Sequence, residues 1–186
     1  VPGPGFQRWL SQQFSRVGDG GICAGIEFAS VAALERRLGG ADDPWQPARL
    51  VWQVQRIALE PGAPALEVLR RHLLASRETY TACHRIARHL AGYARYRPRM
   101  LSAWADGDDV GPNGEPLGEN AWQAHLWRLL AAELGDDPLT RRAAVLERLG
   151  AAPVPGVAKR VAVLAPHHLD AGTLDLLGAL GRHHRI

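Results

Sequence analysis

Apolar residues recur at intervals of three and four over most of this chain. Phe6, Trp9, Leu10 and Phe14 stand at i, i+3, i+4 and i+8, which predicts a helix over 6–15 with one apolar face. Residues 1–5 read as the end of a strand and a turn, and Gly18–Gly21 as the stop after the helix. Ile22–Phe28 is short, partly β-branched and bounded by glycines, so a strand is expected. From Ser30, a natural N-cap, the pattern is helical to about Leu38. Trp45, Leu50, Val54 and Ile57 or Ala58 mark a helix over 44–59, broken by Pro61–Pro64. A short helix fits 64–75. A longer one over 76–93 groups Tyr80, Cys83, Ile86, Ala87 and Leu90 on one face. Pro98 separates it from a helix running through Trp104, and 106–118 has the composition of a mobile loop. Helices are expected again over 119–134, where Trp122, Leu126, Leu129 and Leu130 share a face, and over 138–149. After a Pro-rich linker at 151–156, Arg160–Ala165 reads as a buried strand, and 170–181 as a closing helix.

The order is a β-α-β piece, a long helical block, then β-α. This predicts a helix-dominated α/β fold in which 1–29 and 157–186 are parts of one parallel-sheet domain. Residues 30–156 form an all-helical domain inserted into it. No internal repeat is evident. The chain opens on Val1 rather than Met and closes at Ile186 on a basic, His-rich stretch, which suggests a fragment.

Composition changes this picture little. With 186 residues and 46% apolar content a sizeable core is possible, and six Trp supply large anchors for it. No apolar run approaches the roughly 18 residues of a membrane span and no signal-peptide pattern is present, so a soluble, cytoplasmic protein is expected. Cys23 and Cys83 are too few for a disulfide framework and read as buried free thiols. Net charge is +3, and Lys159 is the only Lys among many Arg. Part of that bias follows from a composition rich in Ala, Gly and Pro.

Several chemistries lack their residues. Val1–Gly5 has the glycines of a phosphate loop but no following Lys or Ser/Thr, and its prolines remove amide donors. His167–His168 and His183–His184 are adjacent pairs whose rings point apart, and they read as surface or terminal residues. His84 and His89, five apart, miss a shared helix face. Asp42–Asp43, Asp108–Asp109 and Asp136–Asp137 read as turn and cap residues, with Asp137 before Pro138 a good helix start. No catalytic residue, metal or cofactor is expected.

Arginine remains. Arg77, Arg85, Arg88, Arg95, Arg97 and Arg99 crowd one helix and its end, and Arg141 and Arg142 open another helix. Such a cluster is either a solvated face paired with carboxylates or, beside Tyr93 and Tyr96, part of a groove for a nucleic-acid strand.

Blocks along the chain resemble the gamma subunit family of exodeoxyribonuclease V (RecC). Pro4–Phe14 resembles its PG-x-x-(Q/R)-W-L segment and Gly21–Phe28 its GI-x-A-(N/G)-(I/V)-x-F strand. Tyr96–Trp104 resembles its YRP-x-W-L-x-x-W motif and Ala121–Trp127 its W-Q-x-x-L-W helix, with Arg160–Leu180 fitting the segment that follows. The resemblance covers almost the whole chain. It implies the N-terminal, helicase-like region of a subunit that has no ATP site of its own. That subunit partners RecB-like and RecD-like subunits in a heterotrimer, splits duplex-end DNA, guides single-stranded DNA and scans it for the Chi hotspot. The first strand and helix of that family's domain would precede Val1. Carried over residue by residue, Arg97 of the YRP motif and Arg142 at the later helix fall in the strand-reading channel. Arg8 falls where the family often has Gln, and Arg36, Arg88 and Ala91 fall where it has a Trp and acidic residues. Arg97, Arg142, Arg8 and Arg88 are therefore the expected DNA contacts, and phosphate contact is expected to outlast base readout. Two other readings remain open: an active superfamily 1 helicase whose phosphate loop lies upstream, and a structural helical module that docks on a protein.

Overall fold

A computed structural model describes residues 3–17, 20–39, 43–164 and 169–186 of the chain. Several expectations lie outside the described residues: the turn at Val1–Pro2, the Gly18–Asp19 stop, Asp42 of one acid pair, the Ala165 end of the second strand, and His167–His168.

The described residues form helices α1 (Pro4–Val17), α2 (Val31–Gly39), α3 (Pro47–Leu59), α4 (Glu67–Ala75), α5 (Thr79–Tyr96), α6 (Pro98–Ala105), α7 (Trp122–Leu134), α8 (Pro138–Ala151) and α9 (Ala171–Leu180). Short 3-10 turns at Pro64–Leu66 and Gly118–Asn120 precede α4 and α7. The chain divides into two compact units, Val1–Ala41 and Asp42–Ile186.

In the first unit α1 starts at Pro4, closer to the N-terminus than its apolar spacing suggested, because Pro suits the first helical turn. Its expected apolar face is real but lies open. Phe6, Trp9 and Phe14 are exposed, with the Phe6 and Trp9 rings 5.5 Å apart. Ser30 caps α2 as expected, its hydroxyl accepting from the Ala33 N–H at 3.0 Å. Arg37 pairs with Glu27 at 3.0 Å.

The second unit is a helical bundle. α3 lies against α4, α5 and α7, and α6 bridges α5 and α7. Its core joins Leu50, Val51 and Val54 of α3, Leu73 of α4, and Cys83, Ala87 and Leu90 of α5. Leu101 and Trp104 of α6 and Leu126, Trp127 and Leu130 of α7 complete it. Each buried Leu or Val contributes about 1.5–3 kcal/mol relative to exposure. Burial also pushes the Cys83 thiol above its ordinary pKa, as befits an inert core thiol; Cys23 is only half-buried. The Trp45 indole donates to the Asp136 carbonyl at 3.0 Å and stands 6.3 Å from the Trp127 ring, which fastens the start of the unit to the α7–α8 turn. Asp43 and Arg141 close the same corner at 3.4 Å. Gly135 ends α7 at φ 80, a conformation that only glycine adopts without strain. Asp137 then caps α8, accepting from the N–H groups of Leu139 and Thr140.

The segment 106–118 carries its own bonds. Val110 and Pro116 form an isolated antiparallel bridge, and Gly111 N–H donates to the Glu115 carbonyl at 2.7 Å. The Trp104 indole donates to the Val110 carbonyl at 2.7 Å, and Asp109 lies 2.8 Å from Arg128.

The α/β expectation is overturned. Among the described residues there is no strand and no sheet, so no parallel-sheet helicase-like domain is seen. A segment becomes a strand only when a neighbour satisfies its backbone, and neither candidate has one along its length. Within Gly21–Phe28, Gly21 and Gly25 take φ 65 and φ 73, which breaks the extended run, and Ile22 and Ile26 face solvent. The Arg160–Leu164 stretch makes one isolated parallel bridge, Arg160 with Arg185. In it Val161 N–H donates to the Arg185 carbonyl and Arg185 N–H to the Lys159 carbonyl, and Leu164 is exposed rather than buried.

α9 packs on α8. A Cβ at Gly150 of α8 would stand 2.7 Å from Arg182 Nη1, and one at Gly172 of α9 would stand 3.0 Å from both Arg142 Nη2 and Asp170 Oδ1. Behind this pair the expected terminal histidines separate. His183 is exposed, but His184 is only 6% exposed. The Val154 N–H donates to His184 Nε2 at 3.0 Å, so the ring proton sits on Nδ1, which donates to the Ala158 carbonyl at 2.9 Å. The ring thus ties the 152–159 linker to the chain after α9. His184→Ala should cost about 1 kcal/mol in urea unfolding; an unchanged midpoint would remove this role.

Candidate nucleic-acid interface

α5 is an 18-residue helix, Thr79–Tyr96, with no Asp or Glu in it. The helix it packs against, α3, has none either. One face of α5 is set by burial of Cys83, Ala87 and Leu90, so Arg85 and Arg88 point to solvent on the other. Among the described residues neither makes an ion pair or hydrogen bond, and the same holds for Arg77 just before the helix. Several other arginines are matched. Arg56 pairs with Glu133 and Glu60, Arg70 with Glu67 at 2.9 Å, and Arg128 with Asp109. The hydrogen bond from Arg70 is the main cause holding Glu67 below the ordinary carboxylate pKa.

Pro98 forces the residue before it off the helical region, and Arg97 accordingly takes φ −137, ψ 46 at the α5–α6 junction. The Arg97 N–H donates to the Tyr93 carbonyl at 2.7 Å, and its carbonyl accepts from Met100 and Leu101. The backbone is fixed while the side chain is exposed. With Tyr96, Pro98, Arg99, Met100 and Pro112 it lines an open depression of about 260 Å³.

The other two expected contacts lie elsewhere. Arg8 is exposed on α1, in the first unit, without a partner. Arg142 is half-buried at the α8–α9 joint, where its guanidinium donates to the Gly172 carbonyl. Arg95, on the same stripe as Arg88, is also engaged. Its guanidinium binds the Asp170 carboxylate, with Nε at 2.7 Å, and reaches Thr173 Oγ1 at 3.2 Å. Asp170 caps α9, accepting from the Thr173 N–H at 2.9 Å. Burial pushes the Asp170 carboxyl upward, but the Thr173 N–H, the Arg95 hydrogen bond and charge, and the Thr173 hydroxyl together hold it below its ordinary pKa.

Sequence reasoning missed the exposed aromatic residues of α3 and α5. Tyr80, grouped in the sequence on one face with Cys83, Ala87 and Leu90, is 50% exposed, and Trp52 of α3 is 60% exposed. Their rings lie 5.4 Å apart, and Tyr80 stacks on His84 with centroids 6.0 Å apart and planes 12° apart. The i, i+4 spacing of Tyr80, His84 and Arg88 was the one signal in the sequence. Among the described residues no group of acidic, His and Cys side chains could hold a metal ion, and no helix is long and apolar enough to cross a membrane.

Comparison with known proteins bears on this geometry. The family model for "RecC, N-terminal domain" matches residues 1–186. The "RecBCD enzyme subunit RecC" of Mycobacterium tuberculosis (strain ATCC 25618 / H37Rv) is 35% identical over 209 residues, covering 100% of this chain and 18% of that protein. The protein of the same name from Mycolicibacterium smegmatis is 34% identical over 203 residues, with 100% and 17% covered. That from Haemophilus influenzae is 25% identical over 175 residues, with 78% and 15% covered. The chain thus spans less than a fifth of the length of these relatives. On the match along its whole length, this chain belongs to the RecC N-terminal domain family.

Proposed function

We propose that this chain binds and channels single-stranded DNA, without performing chemistry itself, as the N-terminal region of the gamma subunit of a cytoplasmic exodeoxyribonuclease V. In that setting it works with RecB-like and RecD-like subunits in double-strand break repair, takes a strand from a duplex end and holds it while the strand is scanned for a hotspot such as Chi. The observation that carries the reading is α5. It has no carboxylate, presents Arg85 and Arg88 unpaired, and ends at the Arg97 and Arg99 depression. Arginines in that state are available to phosphates, which supply most of the affinity for a strand and make it depend on salt.

The test is fluorescence anisotropy of a labelled single-stranded oligonucleotide across a salt series, on the full-length subunit in its assembled complex. Arg97→Ala should reduce the slope of log K against log salt by about 0.7, one phosphate on single-stranded DNA. A slope equal to the parent's would remove Arg97 from the channel.

For Arg142 a second reading is favoured by a specific contact, its bond to the Gly172 carbonyl. There the arginine holds α8 to α9. Arg142→Ala should then lower stability by about 1 kcal/mol and leave the salt slope untouched. A lower slope at unchanged stability would return Arg142 to the channel.

A further inference from the structure

We infer that Trp52, Tyr80 and His84 form a stacking platform for unpaired nucleobases, with Arg77, Arg85 and Arg88 holding the phosphates of the same strand. The inference rests on the single-strand reading above and adds to it a site that acts on bases rather than on the backbone.

Large aromatic rings on a surface usually bury one face against aliphatic neighbours. Here Trp52 and Tyr80 keep half or more of their area in water while their rings meet at 5.4 Å, and the line continues through His84. The rings meet one another before any base arrives, so part of the cost of ordering them is already met. Stacking on protein aromatics suits any base, because each has a π face. The i, i+4 line from Tyr80 through His84 reaches Arg88, whose guanidinium can bind the phosphate next to a stacked base.

Charge selects the occupant. A protein partner could also cover exposed aromatics, but interfaces with proteins set carboxylates against arginines or desolvate them in pairs. Neither α3 nor α5 contains an acidic residue, and Glu78, at the N-cap of α5, is the nearest carboxylate in sequence. Among the described residues Arg77, Arg85 and Arg88 are exposed and unpaired, and Arg88 stands one turn beyond His84 on the rings' line. An aromatic run bordered by unmatched positive charge complements a strand that offers bases and phosphates together.

The experiment compares a 20-nucleotide oligo(dT) with an abasic strand of the same length and phosphate count, on the full-length subunit in its assembled complex. Oligo(dT) should bind roughly tenfold or more tighter, the worth of at least one stacked base. Tyr80→Ala should reduce that ratio about tenfold while leaving the salt slope alone, and Tyr80→Phe should restore it. Trp52→Leu serves as an independent variant, with thermal unfolding measured for each. Arg85→Ala and Arg88→Ala should lower the salt slope on both strands without changing the ratio. Equal binding of the two strands by the parent protein would overturn the platform and leave the phosphate-guiding reading standing. Binding of neither would overturn both. If Tyr80→Ala and Trp52→Leu lower the melting temperature or detach a partner subunit with the ratio intact, the rings serve a helix joint or a protein interface, and the inference fails.

Discussion

Trp127→Ala should destabilise the second unit by about 3–5 kcal/mol, read as a lower midpoint in urea at constant m-value. Trp127 is 2% exposed in the centre of the bundle, against Trp45, and alanine would leave a cavity that rigid helices cannot fill. A loss well under 1 kcal/mol would contradict that burial. Phenylalanine sharpens the test. Among the described residues the Trp127 indole N–H has no hydrogen-bond partner, so replacing it with a ring that lacks the group removes a desolvated donor along with some volume. Trp104 is equally buried, yet its N–H donates to the Val110 carbonyl. Trp104→Phe should therefore cost about 1 kcal/mol more than Trp127→Phe. Equal costs would show that the bond to the 106–118 segment contributes nothing.

Asp170→Ala should cost about 2 kcal/mol, the loss of a helix cap together with a partly exposed ion pair. Asp170→Asn keeps the cap and should cost less than half as much. The charge contribution has a definite pH dependence. The folded-state pKa of Asp170 lies below its unfolded value of about 3.9, so its stabilisation is complete above that pH and is lost as pH falls through the lower, folded value. Unfolding midpoints of the parent and Asp170→Asn, measured from pH 7 downward, should stay apart above about pH 4 and converge below it. A constant gap down to the lowest pH at which the fold persists would mean that the Arg95–Asp170 pair is not what is lost.

The helices were legible because each depends on local spacing. α3 and α7 show their buried residues at i, i+3 and i+4, and α2 and α8 announce their starts with Ser30 and Asp137. The strands were misread for the complementary reason. Ile22–Phe28 and Arg160–Leu164 have strand composition, but a strand is a relation between two segments, and composition says nothing of the second. Arginine pairing was hidden in the same way. Arg95 and Arg88 look alike in the sequence, and the difference is Asp170, 75 residues beyond Arg95. Arg142 likewise finds its carbonyl acceptor 30 residues away. The aromatic ladder was half visible: Tyr80 and His84 share a helix line, whereas Trp52 joins them from another helix. Tyr80 shares a face in the sequence with Cys83 and Ala87 yet stands exposed, because a stripe of apolar positions does not show where the packed face ends.

Gly150 lies under Arg182, and Gly172 lies under Arg142 and Asp170, so at each place the absence of a side chain on one helix makes room for a guanidinium from elsewhere. A larger residue at 150 meets the tip of the Arg182 guanidinium, which must then swing away, and one at 172 meets Arg142 and Asp170 at the limit of contact. A sequence that gains a larger residue at 150 should have shortened or lost the arginine at 182, and one that gains it at 172 should have changed at 142. Among diverged members of the family the four positions should therefore covary as two couples, and a lineage that keeps both arginines should keep both glycines.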